Sequence, residues 1–324
     1  MLQSDELLSL RAAELYYEDD KTQEEIGNLL HITRWKVGRL LAQAKQNGFV
    51  RIEISHPRAR KVRIERALRE RYGLDDAVVV SGTDAASDDD LRLRVTRSAA
   101  DYLTALRPTP RSLGVSWGRT LHDLASQLDE GWARGVDVVQ VNGGVSVTMH
   151  PGDAAETAVT IANKGGGRAT VLPSPAIFER VETKRAVETD RTVAAVLTRA
   201  GAVSAYLFSA GTADENSVLV DSGYLTAEEV ATLVDRGAVG DVVGRFIDAQ
   251  GAIVDHELNE RTLGLGHDAL RSATISIAVI AGAAKLGIAR AVASSGLCTV
   301  LVTDEATASA LVADSRALQE GIAR

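Results

Sequence analysis

The chain is poor in the residues that build covalently or metal-clamped folds. It has one cysteine in 324 residues, which excludes a disulfide framework and a cysteine-based zinc site. Cys298 lies in the apolar run Leu297–Val302 and reads as a buried structural thiol. The six histidines (His31, His56, His122, His150, His256 and His267) are scattered and lack metal-ligand spacing, so neither a metal nor a cofactor is expected. No long apolar run is present, so no membrane association is expected. The opening MLQSDELLSL is too acidic, and its apolar stretch too short, for a secretory signal, which makes the cytoplasm the expected compartment. P-loop and dinucleotide-fingerprint spacings are missing, as is any solenoid period. No acid and base stand at a convincing catalytic spacing.

What is present is a sizeable apolar fraction, 45%, in a chain long enough for two or three domains. The net charge of −8 argues against nucleic acid only if charge is evenly spread, and it is not. Residues 31–71 hold 12 Lys/Arg against 3 Asp/Glu, a balance of +9. Residues 72–324 hold 22 against 33, a balance of −11. A basic arm on an acidic body is the asymmetry expected when one domain alone meets phosphate.

The basic arm contains the most informative stretch, DKTQEEIGNLLHITRWKVGRLLAQAKQN at 20–47. Thr22 and Glu25 have capping-box spacing, so a helix starts at Gln23. Ile26, Leu29 and Leu30 form its apolar face. His31-Ile32 is a short turn, and Thr33 caps a second helix whose Val37, Leu40 and Leu41 face inward. Arg34, Trp35, Lys36 and Arg39 are left pointing outward. That is the form of a helix-turn-helix reading head for operator DNA. Arg forks onto guanine, Lys meets phosphate, and Thr22, Gln23 and Thr33 stand at helix N-termini where phosphate oxygens are favoured. A generic helical hairpin with a solvated basic face has the same pattern. A preceding helix from Asp5 to about Glu18 supplies Leu7, Leu8, Leu10, Ala12, Leu15 and Tyr16 as a third wall. After Gly48, a helix C-cap, Phe49–Ile54 alternates as a strand.

Pro57 breaks that strand, and Arg58–Tyr72 reads as a linker helix with Val62, Ile64, Ala67 and Leu68 as its apolar positions. Gly73 closes it. The expected domains are therefore 1–56, a linker at 57–73, and 74–324. In the last, strands are expected at 77–80, 113–115, 136–141, 169–172, 203–208, 241–247, 275–281 and 300–303. Helices are expected at 120–128, 154–162, 182–199, 226–236, 283–293 and 304–313. The rhythm predicts a mostly parallel, doubly wound α/β sheet with helices on both faces. Ligands then bind beyond the carboxyl ends of the strands.

Several strands end in Gly-rich turns: 114–120, 142–146, 209–211 and 282–285. In Gly114-Val-Ser-Trp-Gly-Arg-Thr120, backbone N–H groups, the hydroxyls of Ser116 and Thr120, a helix N-terminus and Arg119 suit an anion. Each loop alone also reads as a plain tight turn; several on one sheet edge point to a cleft. Lys164-Gly-Gly-Gly-Arg168 lies on the opposite edge and reads as a loop only. His150 is a loop histidine, incidental or lining the cleft, and Asp241, Asp248, Asp255, Glu257 and Asp304 are candidates to hold hydroxyls that each read equally as solvated carboxylates.

The chain as a whole resembles the SorC/DeoR type of sugar-responsive bacterial transcription regulators. The head carries the resemblance through Ala-Glu-Leu-Tyr-Tyr (13–17), Thr-Gln-Glu-Glu-Ile (22–26) and Val-Gly-Arg-Leu-Leu-Ala-Gln-Ala (37–44). The body carries it through Gly-Val-Ser-Trp-Gly-Arg-Thr (114–120), Gly-Ala-Val-Gly-Asp (237–241), Phe-Ile-Asp-Ala-Gln-Gly (246–251) and Leu-Val-Thr-Asp-Glu-Ala-Thr-Ala (301–308). The resemblance implies a winged helix-turn-helix-like head on an effector domain similar in fold to glucosamine-6-phosphate deaminase and ribose-5-phosphate isomerase. It also implies a homodimer or homotetramer. By position it places Ser116, Trp117, Gly118, Arg119 and Thr120 at the phosphate or acidic end of the effector. Asn142, Gly143, Gly144, Asp241 and Lys285 would line the sugar. Some relatives have a basic residue just before the Gly-Gly pair; Asn142 stands there and cannot form a Schiff base or pair with phosphate as a cation. The expectation is a regulator, not an enzyme, whose DNA affinity answers to a sugar, polyol or sugar phosphate. The alternative is a sugar-phosphate isomerase or deaminase fused to a DNA-binding head.

Overall fold

A computed structural model describes residues 2–50, 60–82, 85–144 and 154–322, with side chains from residue 6 to 313 within those ranges. The chain divides into two compact units, Met1–Ser55 and His56–Arg324. The first is a three-helix head: α1 (Leu2–Tyr17), α2 (Gln23–Leu29) and α3 (Arg34–Gln46). Thr22 and Glu25 close a full capping box on α2, and Thr33 accepts the Lys36 N–H at the start of α3. The turn between them is forced tight. The Ile32 N–H bonds to the Gly27 carbonyl, and His31 takes φ +50°. A Cβ on Gly27 would lie 2.8 Å from the Ile32 oxygen, so only glycine lets the helices approach this closely.

The head's core is Ala12, Ala13, Leu15, Ile26, Val37, Leu40, Leu41 and Ala44, with Leu8, Tyr16, Leu30 and Ile32 packed against it. Three expected core residues are instead exposed: Leu7, Leu10 and Leu29. On α1 the inward stripe runs through 8, 12, 15 and 16, which places 7 and 10 on the other side of a 3.6-residue turn. Buried Ser9 donates its hydroxyl to the Leu40 carbonyl at 2.8 Å. The expected strand at 49–54 lies almost wholly outside the described residues, as do His56, Pro57 and the first turn expected of the linker helix.

In the second unit, α4 (Val62–Tyr72) packs on the edge strand β1 (Asp76–Val80). It buries Leu68 and Glu65, while Val62 is exposed, against expectation. Glu65 earns its burial by pairing with Arg60 at 2.8 Å and accepting the Val79 N–H at 2.9 Å. α5 (Asp88–Ala105) then leads to β2 (Ser112–Val115), α6 (Arg119–Gln127), β3 (Asp137–Gln140) and β4 (Arg168–Thr170). The main sheet is completed by β5 (Ala205–Phe208), β9 (Ser276–Val279) and β10 (Val300–Asp304), in the order β1-β10-β9-β5-β2-β3-β4 with every pairing parallel. A second, antiparallel sheet comprises β6 (Ala210–Gly211), β7 (Gly240–Val242) and β8 (Arg245–Ile247).

Alternate strand residues feed two separate cores. Val79, Val139, Tyr206, Phe208, Ala278 and Leu301 face one side, and Val78, Val138, Leu207, Ile277, Val279 and Val302 the other. This is the period-two signature of a sheet buried on both faces, and it confirms the doubly wound parallel class. Cys298 is buried, and burial pushes its thiol up to about 12.

The expected strand at 241–247 is a tight hairpin, because Val243 and Gly244 take φ +50° and +81° and reverse the chain. The expected helix at 182–199 is two, Val181–Glu188 and Arg191–Ala200, since Asp190 caps the second. The 18-residue α5 was not anticipated.

Candidate effector cavity and nucleic-acid interface

On the head, α3 turns Val37, Leu40, Leu41 and Ala44 inward and leaves Arg34 and Arg39 exposed. Trp35 is 84% exposed, and Lys36 is half-buried. Among the described residues, Arg34, Lys36 and Arg39 have no ion-pair partner. Thr33 caps α3 through an N–H at 3.3 Å. Thr22 is spent further: its hydroxyl donates to Glu25 at 2.8 Å, and Glu25 also accepts the Thr22 N–H. That carboxylate at the start of α2 makes Thr22 a poorer phosphate neighbour than Thr33. Gln23 lies half-buried with its oxygen 3.4 Å from where a Gly38 Cβ would stand, so it packs on α3.

In the body, the chain leaves β2 toward β3 and β4 and later returns to place β5 on β2's other side. The loops after β2 and β5 therefore diverge, and this switch point opens a cavity of about 380 Å³. Ser116, Trp117, Gly118, Arg119, Thr120, Asn142, Asp241 and Lys285 all line it. Gly143 and Gly144 do not. A Cβ on Gly143 would fall 2.1 Å from the Pro175 oxygen, and one on Gly144 2.5 Å from the Ala154 Cβ. At both positions the neighbouring chain leaves no room for a Cβ.

The cavity wall is built from the ends of the elements. Ser116 is 3% exposed at the end of β2. Gly118, at φ +119°, opens α6 without a side-chain cap, so its first N–H groups face the cavity region unspent. Trp117 donates its indole N–H to the Gly143 carbonyl at 2.8 Å, which fixes the ring as a wall. Arg119 is exposed and has no carboxylate partner among the described residues. Asp241 is 6% exposed and accepts the Gly244 N–H on one oxygen at 2.9 Å. A Cβ on Gly211 would sit 2.0 Å from the other. Burial raises the Asp241 pKa to about 6, against the opposing pull of the Gly244 N–H and Lys285. Burial lowers Lys285 to about 8, with Asp241 pulling it back up. Four buried atoms on this lining have no hydrogen-bond partner: Ser116 Oγ, Asn142 Oδ1, Ser209 Oγ and Asp241 Oδ1.

Residues 56–313 match the family described as "Putative sugar-binding domain". Over 310 residues the chain is 35% identical to the deoxyribonucleoside regulator of Bacillus subtilis, covering 95% of this chain and 97% of that one. The chain belongs to the SorC/DeoR-type family of sugar-binding transcriptional regulators. It is 28% identical over 316 residues to the erythritol catabolism regulatory protein EryD of Brucella abortus, covering 96% and 98%. Among solved structures, the full-length sorbitol operon regulator SorC of Klebsiella pneumoniae superposes with a TM-score of 0.70 at 25% identity, covering 95% of this chain and 99% of that one. The family assignment and the doubly wound sheet agree with the reading from sequence.

Other members of the lining were not anticipated. Asp88, Asp89 and Arg92 reach it from α5, and Asp214 from the loop after β6. The signal for α5 was legible: Ser87 caps it through the Asp90 N–H, and Val95, Ala99 and Leu103 are buried at helical spacing. Arg92 is engaged by Asp89 and, at 2.7 Å, by Asp123, so it brings little free charge. Of the carboxylates considered for hydroxyls, Asp241 alone lines the cavity. Asp304 is consumed by Gly282 and Thr307, Asp248 by the N–H groups of Gln250 and Ala252, and Asp255 by its helix cap and Arg236. Glu257 lies in the first turn of a short helix, and His150 is outside the described residues. No described helix is long and apolar enough to cross a membrane, and no described group of three or more His, Cys, Asp or Glu is placed to hold a metal ion.

Proposed function

We propose that this regulator binds operator DNA through Arg34, Trp35, Lys36, Arg39 and Thr33, and binds a phosphorylated sugar in the cavity beyond β2 and β5. The four buried, unpartnered polar atoms carry this reading. Buried polar groups are normally hydrogen-bonded, and leaving one bare costs on the order of 1–3 kcal/mol. Asn142 Oδ1 and Asp241 Oδ1 are acceptors, and the serine hydroxyls serve either way. A ligand rich in hydroxyls satisfies all four. Arg119, Thr120, Lys285 and the uncapped start of α6 supply its anionic end. The relatives' names point the same way: one is a deoxyribonucleoside regulator and another governs erythritol catabolism.

The cavity also brings together an acid raised to about 6 and an amine lowered to about 8, a pairing that active sites share. This observation favours a second reading, slow isomerase- or deaminase-type turnover. The regulatory reading needs no turnover, and the protein is proposed to be a cytoplasmic homodimer or homotetramer. Two heads in a dimer would read half-sites one or more helical turns apart.

A thermal-shift screen of sugars, polyols and their phosphates tests the reading, followed by fluorescence-anisotropy titration of the DNA upstream of the protein's own gene. A saturating effector, at about 100 times its Kd, should stabilise the body by roughly 2.7 kcal/mol and change DNA affinity. Arg119→Ala with Thr120→Val should lose that response and keep DNA binding. If no compound in the screen shifts the melting temperature, the cavity is not an effector site. If the compound that binds is consumed, the second reading replaces the first.

A further inference from the structure

We infer that the cleft on the far side of the β7–β8 hairpin is a second ligand site, built for a protonated phosphate group. This cleft encloses about 350 Å³ and shares no lining residue with the first cavity. Its floor is Arg245, the residue immediately after the Val243-Gly244 turn. Arg245 is 8% exposed, yet no carboxylate among the described residues pairs with it. Its guanidinium reaches only backbone carbonyls, and those at a distance: Val243 at 3.5 Å, Thr262 and Gly264 at 3.3 Å. The charge of Glu188 acts on it from beyond ion-pair distance, and that carboxylate is itself held by Lys184, so the buried guanidinium has no directly bonded counter-ion.

His267, beside it, is 6% exposed. Its Nε2 lies 3.1 Å from the Val242 carbonyl, which accepts and so fixes the proton on Nε2. Nδ1 is then a lone pair, and it is buried with no partner. Burial lowers this imidazole to about 4, so it stays neutral at physiological pH. Lys184 and Arg271 border the cleft. Lys184 is paired with Glu188 at 2.8 Å, and Arg271 bonds to the Gly251 carbonyl at 3.0 Å and to Asp268 at 3.3 Å. The acids on the rim are otherwise occupied or distant: Glu260 pairs with Arg185, and the Asp268 side chain is fully exposed.

Arg245 and His267 both line the cleft, one bringing a buried cation and the other a buried lone-pair acceptor. One ligand group answers both, an oxyanion that also carries an O–H. Hydrogen phosphate and a singly protonated phosphomonoester have both features. Sulfate has the charge and lacks the proton at neutral pH, so the geometry itself discriminates between them.

The test is isothermal titration of the full-length protein at constant ionic strength with inorganic phosphate, sulfate and glycerol phosphate. It is run in the Arg119→Ala, Thr120→Val background, which disables the anionic end of the first cavity. Phosphate or glycerol phosphate should bind, the tighter of the two naming the source as free or esterified phosphate, and sulfate should bind more weakly. Arg245→Met should weaken binding by on the order of tenfold or more, the worth of one charge-assisted hydrogen bond, and Lys184→Gln with Arg271→Gln, which removes two rim charges, should also weaken it. These side chains are partly exposed, so the double substitution spares the fold if Arg245→Met does not. Equal binding of sulfate and phosphate overturns the inference, as does unchanged affinity in the Gln variants or no binding at all. A Gln variant that loses its oligomeric state while phosphate binding persists assigns the cleft to contact between copies instead.

Discussion

The head and the body keep their polar groups in opposite states. On the head, Arg34, Arg39 and Trp35 stand in water while the caps beneath them are satisfied. In the cavity, Ser116, Asn142, Ser209 and Asp241 carry buried polar atoms that no protein group pairs. Exposed cations cost nothing to hold and are screened by salt, which suits a polyanion recognised over a broad surface. Buried, unpaired oxygens are costly to hold, and a ligand that fits all of them recovers the cost. A regulator needs both: one surface tunable in affinity, one site selective in chemistry.

The largest expected effect separates the two units through their cores. Leu40 is 1% exposed in the head, and Leu40→Ala should cost about 2–5 kcal/mol. A unit this small has on the order of 3–8 kcal/mol in total, so the head should unfold while the body keeps its melting transition and effector response. Calorimetry with DNA titration checks this; undiminished DNA affinity would mean the head draws its order from elsewhere. Next come the cations themselves. Arg34→Ala and Arg39→Ala should each weaken operator binding by about 1–3 kcal/mol, and a phosphate contact should also lower the salt slope by about 1. Affinity that ignores both substitutions would move the reading surface off α3.

The contrast also explains what was legible beforehand. The head's helices, caps and outward cations follow from spacing alone, because a local motif with its own core encodes its geometry within 30 residues. The parallel sheet follows from the rhythm of buried strands. The cavity was legible only where it coincides with strand ends: Ser116–Thr120, Asn142, Asp241 and Lys285. Gly143 and Gly144 stand off the lining; a glycine pressed by Pro175 or Ala154 looks in sequence like one that makes room for a ligand. Asp88, Asp89 and Arg92 were lost with α5, whose three leading aspartates resemble a solvated loop until Ser87 is recognised as their cap. Arg245 was invisible because burial of a cation without a directly bonded acid leaves no pattern along the chain.

Inside the cavity the expected effects are smaller and depend on pH. On the proposed reading ligand hydroxyls donate to the Asp241 carboxylate, so binding should favour its ionised form and lower its pKa. Affinity should therefore rise as pH climbs through about 6, by at most about tenfold per pH unit. The phosphate end favours charged Lys285, so affinity should fall again as pH passes about 8. Asp241→Asn should erase the acid limb and leave the alkaline one. For the empty protein the sign is opposite. A carboxyl whose folded pKa is raised contributes stability at low pH and loses it as pH approaches 6, and Asp241→Asn should remove that slope too. Isothermal titration from pH 5 to 9, set beside melting curves, reads both; an acid limb surviving in Asp241→Asn would assign it to another group.

The smallest effect concerns two threonines that look alike in sequence and differ in the fold. The Thr22 hydroxyl gives its proton to Glu25, whereas Thr33 only accepts, from the Lys36 N–H. Each cap is worth about 1 kcal/mol to its helix, so Thr22→Ala and Thr33→Ala should destabilise the head alike. Only Thr33 keeps a proton to offer a phosphate oxygen, at the N-terminus of the helix that carries Arg34 and Arg39. Thr33→Ala should therefore also weaken DNA binding, Thr33→Ser should restore it, and Thr22→Ala should leave DNA affinity where it was once the folded fraction is accounted for. Equal losses from both alanines would show that the Thr22–Glu25 box opens when DNA arrives, and that the start of α2 touches the duplex as α3 does.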